Sequence, residues 1–420
     1  MAIELLTIGT ELLLGQTVDT NGAELGRALA AAGIPVARRT SVSDDPAEIR
    51  DAATQALART GAFLSTGGLG PTADDITKRL IADLFGMPLT FRPEVWEALV
   101  ARFARAGRAP AERNRCQAEV PEGAIILPNR WGTAPGLWLE GPPGLAILLP
   151  GVPAEMRGLL HHEVLPRLTP RAGGRVVRSR TLRTTGIPES SLAERLDQVE
   201  ARLTPLSLAY LPGVAGVDLR LTAWNLEPDA ADRALADGVA LLREGAAGWA
   251  YGEDDQDLAA LVVQAARERG LHLGTAESCT GGGIGARLTA IPGSSDVYRG
   301  GVIAYDNDLK RDLLGVPAEL LTRAGAVSAE VAQAMAAGAR ERLGVDLAVS
   351  VTGIAGPGGG SAEKPVGLVY IGLAARSGAR ATRHQFPGDR EDVRARAGQM
   401  ALFRLLQELT GLTTRADPTV

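Results

Sequence analysis

Twice along this chain, short apolar runs ending in polar, glycine-rich turns alternate with helical segments. That alternation leaves few architectures open. Strands separated by helices pair in parallel, and the helices cover both faces of the sheet they connect. Residues 4–8 read as an apolar strand, 21–32 as a helix with Leu25 and Leu29 four apart, and 46–60 as a second helix stopped at Gly61. Residues 62–65 form a buried strand that leads into TGGLGPTADD and a helix through Leu84; 145–149 repeats the pattern into PGVPAEM and a helix to Leu168. The pattern returns with helices predicted over 257–269, 280–290, 328–343 and 389–409, and strands over 271–276, 301–305, 347–353, 367–374 and 379–386.

Between these halves, TPRAGGR (169–175) reads as a linker and 252–257 as a polar break. The segments 176–185, 190–203, 206–210, 217–224 and 229–245 read strand, helix, strand, strand, helix. The predicted class is therefore α/β: two three-layer α/β domains with mostly parallel sheets, 1–170 and 255–415, joined by a small α+β, KH-like domain, 175–252. A length of 420 residues agrees with three domains at roughly 150 residues each.

Charge excludes some functions. With 44 basic and 49 acidic residues the chain carries −5, which makes no strong electrostatic claim on nucleic acid or an anionic membrane. No basic-then-apolar leader precedes Ile3 and no apolar run is long enough to span a bilayer, so the cytoplasm is the expected location and no membrane partner is expected. Cys116 and Cys279 are too far apart in sequence to suggest a disulfide framework, and His161, His162, His272 and His384 lack metal-ligand spacing. Any metal would be a hard cation held by carboxylate and phosphate oxygens.

In open α/β sheets, ligands bind outside the carboxyl ends of the strands. Four segments of the last domain reach that crevice: TAESCTGG (275–282), AYDNDLK (304–310), VTGIAGPGGG (351–360) and GDR (388–390). In the first, a strand stops at a hydroxyl-rich turn and feeds a helix, so Ser278, Thr280 and free backbone N–H groups meet where a helix dipole attracts phosphate. Lys310 is a candidate base or charge partner, because a desolvated lysine can lose its proton near neutral pH. Arg390 offers a rigid fork for phosphate or carboxylate. Taken singly, Ser278 reads as a helix cap, Cys279 as a small packed residue, Lys310 as a solvated lysine and Thr352 as a strand-end hydroxyl. Their combination changes the reading.

TAESCTGG, the Tyr305-to-Lys310 spacing, VTGIAGPGGG, EKPVG (363–367) and FPGDR (386–390) resemble the C-terminal domain of the CinA family, the nicotinamide mononucleotide (NMN) deamidases, over nearly all of 256–410. The resemblance implies hydrolysis of the NMN carboxamide to nicotinic acid mononucleotide and ammonia, in pyridine-nucleotide recycling, with no metal or other cofactor. Such chemistry needs a nucleophile, a base and donors for an oxyanion. Ser278 would attack and Lys310 would take its proton. Thr352 and backbone N–H groups would steady substrate or oxyanion, while Tyr305 would orient Lys310 or cover the pyridinium ring. Glu277, Cys279, Thr280, Gly281, Gly282, Gly356, Gly358 and Arg390 would surround NMN, with its phosphate at Arg390 and the helix start.

STGGLGPTADDIT (65–77) is a second glycine-rich loop, and glycine-rich loops alone are weak signals. With LPGVP (149–153) it resembles the molybdopterin-binding family of MoaB and MogA type. With GTELLLGQTVDTN (9–21) and GTAPG (132–136) it resembles more closely the N-terminal half of CinA proteins, over about residues 1–168. The first likeness implies adenylate chemistry on a dithiolene precursor. The second implies ADP-ribose hydrolysis at its pyrophosphate, with a divalent metal (Mg, Mn or Co) and potassium. Thr66, Gly67, Gly68, Gly70, Asp75, Asn21 and Gly151 would form the nucleotide site, with Asp19 beside Asn21. Asp74 and Asp75 would repel a bare pyrophosphate but can hold a cation that bridges its oxygens. The alternative for Asp74 is a solvated carboxylate favoured by a helix start.

The family likeness also implies a KH-like middle segment, and Gly213-Val214-Ala215-Gly216 is a GXXG string. It falls between predicted strands rather than helices, and residues 174–250 hold nine arginines, no lysine and ten acidic residues. That balance lacks the footprint of a phosphate-backbone binder. A structural spacer is expected, and a homodimer is the expected assembly. The rival to a two-site nucleotide hydrolase is a non-enzymatic accessory of competence or DNA damage, which calls for a basic surface.

Overall fold

β1 (Ile3–Ile8) is buried along its whole length, as a strand covered on both faces must be. In the computed structural model, which describes residues 1–105 and 107–412, it pairs in parallel with β2 (Val36–Val42) and β3 (Ala62–Thr66). Residues 413–415 of the third predicted domain lie outside the described residues. Between these strands run α1 (Thr10–Leu13), α2 (Thr20–Ala31) and α3 (Pro46–Thr60). α3 shows how local sequence frames an element: Asp45 accepts the amides of Ala47 and Glu48, Pro46 opens the first turn, and Gly61 closes it at φ 71°.

The chain continues through α4 (Thr77–Leu84), β4 (Leu89–Phe91), α5 (Pro93–Arg105), β5 (Glu119–Pro121) and β6 (Ile125–Leu127). It then runs through β7 (Gly136–Gly141), β8 (Gly144–Leu149), α6 (Pro153–Leu159), a π-helical turn (Leu160–Val164) and α7 (Leu165–Leu168). The sheet order is β2-β1-β3-β8-β7-β6, parallel through β8 and antiparallel beyond. Strand period two divides its core. Leu5, Leu64 and Ile147 pack with Leu25, Leu29, Met156 and Leu159 on the α2–α6 side. Leu6, Phe63 and Leu148 pack with Ile49, Ala53, Leu80 and Ile81 on the α3–α4 side.

The middle segment holds β9 (Val176–Thr184), α8 (Glu189–Glu200), β10 (Leu206–Gly213), β11 (Gly216–Leu226), α9 (Pro228–Gly245) and β12 (Ala250–Glu253), with strand order β10-β11-β9-β12. Sequence pattern finds all but β12, which overlaps the predicted polar break. It is held by antiparallel pairing to β9, a partner far away in sequence.

The last domain is built from α10 (Leu258–Arg269), β13 (Leu273–Glu277), α11 (Gly283–Thr289), β14 (Tyr298–Ile303), α12 (Asn307–Leu314) and α13 (Ala318–Ala324). α14 (Ala329–Arg342), β15 (Leu347–Gly353), β16 (Leu368–Ala375), β17 (Gly378–Gln385) and α15 (Arg390–Thr410) complete it. Its sheet runs β14-β13-β15-β16-β17. The first three strands are parallel; β16 and β17 are antiparallel additions. This sheet is thus less parallel than expected, because the short connection between β16 and β17 allows only a hairpin. Leu273, Val349 and Val351 face α10 and α15, while Ala276 and Ala348 face α12 and α14.

Two compact units result, one of Met1–Arg178 with Ala223–Ala234, the other of Ser179–Thr222 with the chain from Leu235 on. Among the described residues no helix is long and apolar enough to cross a membrane.

Candidate active site

Register brings the C-terminal residues together. Glu277, the last residue of β13, is level with Ile303 of β14 and Val351 of β15. Ser278 therefore follows between Ala304 and Thr352, on strands roughly 4.8 Å apart. The Ser278 amide donates to Val351 O (3.0 Å) and the Ala304 amide to Glu277 O (2.9 Å), extending the ladder one step past the sheet.

Lys310 reaches this edge from α12, whose N-cap is Asp306. The lysine is only 1% exposed. Its Nζ donates to Tyr305 O at 2.9 Å rather than to a carboxylate. Burial lowers its pKa below the ordinary lysine value, with Asp306 pulling less strongly the other way. The Tyr305 ring is exposed and its hydroxyl lies 3.1 Å from Arg390 Nη2, while Arg390 Nη1 donates to Gly356 O at 2.6 Å. Arg390 thus ties the glycine loop to Tyr305, and a cavity of about 530 Å³ opens beside it, lined by Ala355, Pro357, Val366 and Arg394.

Three expectations change here. The helix start is not a free phosphate cradle. α11 begins only after Gly281 and Gly282, both at positive φ (62° and 92°), and the buried Glu277 carboxylate accepts the amides of Ile284 (3.1 Å) and Gly285 (2.9 Å). The protein's own anion occupies the place predicted for the ligand's. Thr352 commits its proton to Ala326 O at 2.8 Å, which removes it as a ready oxyanion donor. Cys279 sits in the apolar core, where burial pushes its thiol up to about 12.

Gly356, at φ 81°, has no room for a side chain, since a Cβ would lie 2.6 Å from Val366; Gly358 faces open space. Arg394, which the sequence reading passed over, donates to Thr280 O at 3.1 Å. Its position four residues after Arg390 on one helix was the available signal.

At the N-terminal sheet, Asn21 Nδ2 bridges Thr66 Oγ1 (3.2 Å) and Gly151 O (2.7 Å), and the Thr66 hydroxyl donates to Pro150 O (2.9 Å). Two segments distant in sequence therefore converge on Asn21. A Cβ on Gly67 would lie 2.2 Å from Ile8 O, and one on Gly68 2.0 Å from Thr77 Oγ1. Asn21 Oδ1 and Thr77 Oγ1 are buried without partners.

Asp19 does not join them, because it caps Gly22 and pairs with Arg39 at 2.9 Å. Asp75 turns into its own loop, beside Gly70, and accepts both the amide (2.9 Å) and the hydroxyl of Thr72. Asp74 stays exposed, and the neighbouring Thr72 side chain, then its own backbone amide, lower its pKa. Among the described residues no group of three or more His, Cys, Asp or Glu side chains is arranged so that it could hold a metal ion. With Asp75 engaged by Thr72, the doublet does not fit a protein-held cation.

Two further groups escaped the sequence reading. Asn129 Oδ1 accepts the amides of Trp131 (2.9 Å) and Gly132 (2.8 Å), and its Nδ2 donates to Glu155 at 2.5 Å. Burial raises the Glu155 pKa. This pair joins the GTAPG and PGVPAEM motifs, whose apposition no local pattern reveals. Lys78, at the start of α4, donates to Cys116 O, and burial lowers its pKa.

The architecture is that of a multidomain α/β protein with candidate sites at the carboxyl ends of parallel strands. The chain belongs to the CinA family. Family models match as "CinA C-terminal domain" over 255–409, "Probable molybdopterin binding domain" over 4–170 and "Damage-inducible protein CinA KH domain" over 179–252. A CinA-like protein of Gemmatimonas aurantiaca is 52% identical over 409 residues, covering 96% of each chain. One from Parasynechococcus marenigrum is 45% identical over 409 residues, covering 97% of each. The crystal structure of the competence/damage inducible protein CihA from Agrobacterium tumefaciens is 47% identical and covers 36% of this chain and 93% of its own, with a TM-score of 0.35.

Proposed function

We propose that the C-terminal site hydrolyses the carboxamide of NMN, releasing ammonia and leaving nicotinic acid mononucleotide. The observation that carries this reading is Lys310, an amine 1% exposed and made less basic by burial, at the sheet edge that presents Ser278. An amine made less basic by burial, on the sheet edge of a hydroxyl, is suited to act as a general base. Ser278 Oγ attacks the amide carbon while its proton passes to Lys310 Nζ. That proton then goes to the departing nitrogen, so ammonia leaves and an ester remains on Ser278. Water, losing a proton to the same amine, cleaves the ester and restores the serine. Backbone amides of the turn, rather than the Thr352 hydroxyl, stabilise the oxyanion. The Tyr305 ring and Arg390 frame the pyridinium and phosphate ends of the substrate. Ser278→Ala is expected to cut ammonia release from NMN by about a thousandfold or more; unchanged release sinks the assignment.

For the N-terminal loop we propose binding of a nucleotide pyrophosphate, with ADP-ribose as the first candidate. The partnerless Asn21 Oδ1 and Thr77 Oγ1, at a loop whose glycines admit no side chain, favour this reading. Calorimetry with ADP-ribose, with and without Mg, Mn or Co and potassium, tests it. Absence of binding under all these conditions overturns it.

A further inference from the structure

The GVAG string forms the tip of the β10–β11 hairpin, with Val214 and Ala215 as its two-residue turn. The tip stands at the edge of a cavity of about 450 Å³ whose other walls come from the Thr280–Arg287 stretch and the first half of α15. All of these residues belong to one compact unit.

Three polar residues stand on the cavity wall, two of them arginines that keep donors to spare. Thr280 is 2% exposed and its Oγ1 has no hydrogen-bond partner. Arg287 has its nearest carboxylate, Asp257, only at 3.9 Å, and burial lowers its pKa. Arg394 donates to the Thr280 carbonyl. Glu391 is the one acidic residue among those lining the cavity, against these two arginines, so the wall carries net positive charge. Much of the remaining wall is small or apolar, with Val214 and Ala215 on the hairpin side.

We propose that this cavity binds a small organic anion, a phosphate monoester or carboxylate on an apolar body. Its acidic group lies between Arg287 and Arg394, and the hairpin tip covers the apolar part. Guanidinium forks match both anions. Apolar walls with a few convergent polar groups are the usual make-up of a small-molecule site. The site lies behind the catalytic turn, since Thr280 is two residues from Ser278 and Arg394 also lines the cavity beside Arg390. It gives the GXXG tip a small-molecule role in place of a nucleic-acid clamp, and it does not depend on the amidohydrolase reading.

The test is calorimetric titration of the full chain with phenyl phosphate and, separately, benzoate. At least one probe is expected to bind, and which one binds tighter identifies the preferred acid. Arg287→Gln should weaken it about tenfold or more. Ala215→Trp, which fills the cavity from an exposed turn, should abolish it, with the thermal midpoint of each variant unchanged. Failure of both probes to bind overturns the proposal, as does binding that both substitutions leave intact or that Arg390→Gln alone removes. Ammonia release from NMN is read on the same samples. Arg287-dependent binding in a protein that never deamidates NMN removes the amidohydrolase reading and leaves this site standing.

Discussion

Each α/β domain places a lysine of burial-lowered pKa shortly after a strand-end loop, and each lysine donates to a backbone carbonyl: Lys310 to Tyr305, Lys78 to Cys116. What differs is the company. Lys310 shares its sheet edge with Ser278, whose neighbours on both sides are set by strand register. The N-terminal loop instead offers partnerless amide and hydroxyl oxygens, and its nearest carboxylate is turned inward onto Thr72. A desolvated amine is therefore not a site by itself. In the proposed reading, the amine on the edge of a strand-end hydroxyl serves as a base, and the one next to the partnerless Thr77 belongs to a binding loop.

The sharpest way to break this contrast is to remove one lysine. Lys310→Met should lower kcat for NMN by about 10²–10⁴-fold, whereas ADP-ribose binding at the other domain should not change. In the unsubstituted protein, Lys310 must be neutral to accept a proton. Its folded pKa lies below the ordinary 10.5, so kcat should rise with pH through that depressed value and level above it. Stability moves the same way. Between the folded pKa and 10.5 the unfolded chain binds the extra proton, so unfolding free energy rises with pH across that window. Urea midpoints measured against pH should show a slope that Lys310→Met reduces, and an identical slope in the variant contradicts the assignment.

Glu277→Gln comes next. It takes the charge from a buried acceptor of two amides and should destabilise by about 1–3 kcal/mol, with NMN turnover falling as the Ser278 turn loosens. A variant as stable and active as the parent shows that the carboxylate does not hold the turn. At the N-terminal loop, Asn21→Ala should weaken ADP-ribose binding about tenfold, the loss of one good hydrogen bond, and leave ammonia release from NMN untouched. An equal loss in both assays means that the two sites are not independent. The smallest effect is expected from the helix frame. Asp45→Ala in the first domain and Asp257→Ala in the last remove matching N-caps and should each cost about 1 kcal/mol in thermal unfolding, with no change in either site.

Much of this molecule was legible residue by residue. Helix α3 starts and stops where Asp45, Pro46 and Gly61 say it must, and the alternation of strand and helix identified the class. The strand ends carrying Ser278, Tyr305 and Thr352 were found for the same reason, since strand period and glycine placement are local properties of the backbone. The misses have one character. β12 depends on pairing with β9, and the Asn129–Glu155 pair joins segments that no periodicity connects.

The sequence by itself determined which groups stand at the strand ends and in what order. Only the tertiary structure decided which way they face. Glu277 turned from ligand contact to helix-start acceptor, Thr352 gave its proton to Ala326, and Asp75 folded back onto Thr72. The burial that makes Lys310 a less basic amine, expected of a candidate base, likewise comes from packing. The physical reason is that backbone conformation answers to near neighbours, whereas hydrogen-bond choice and desolvation answer to whatever packing brings within about 3 Å.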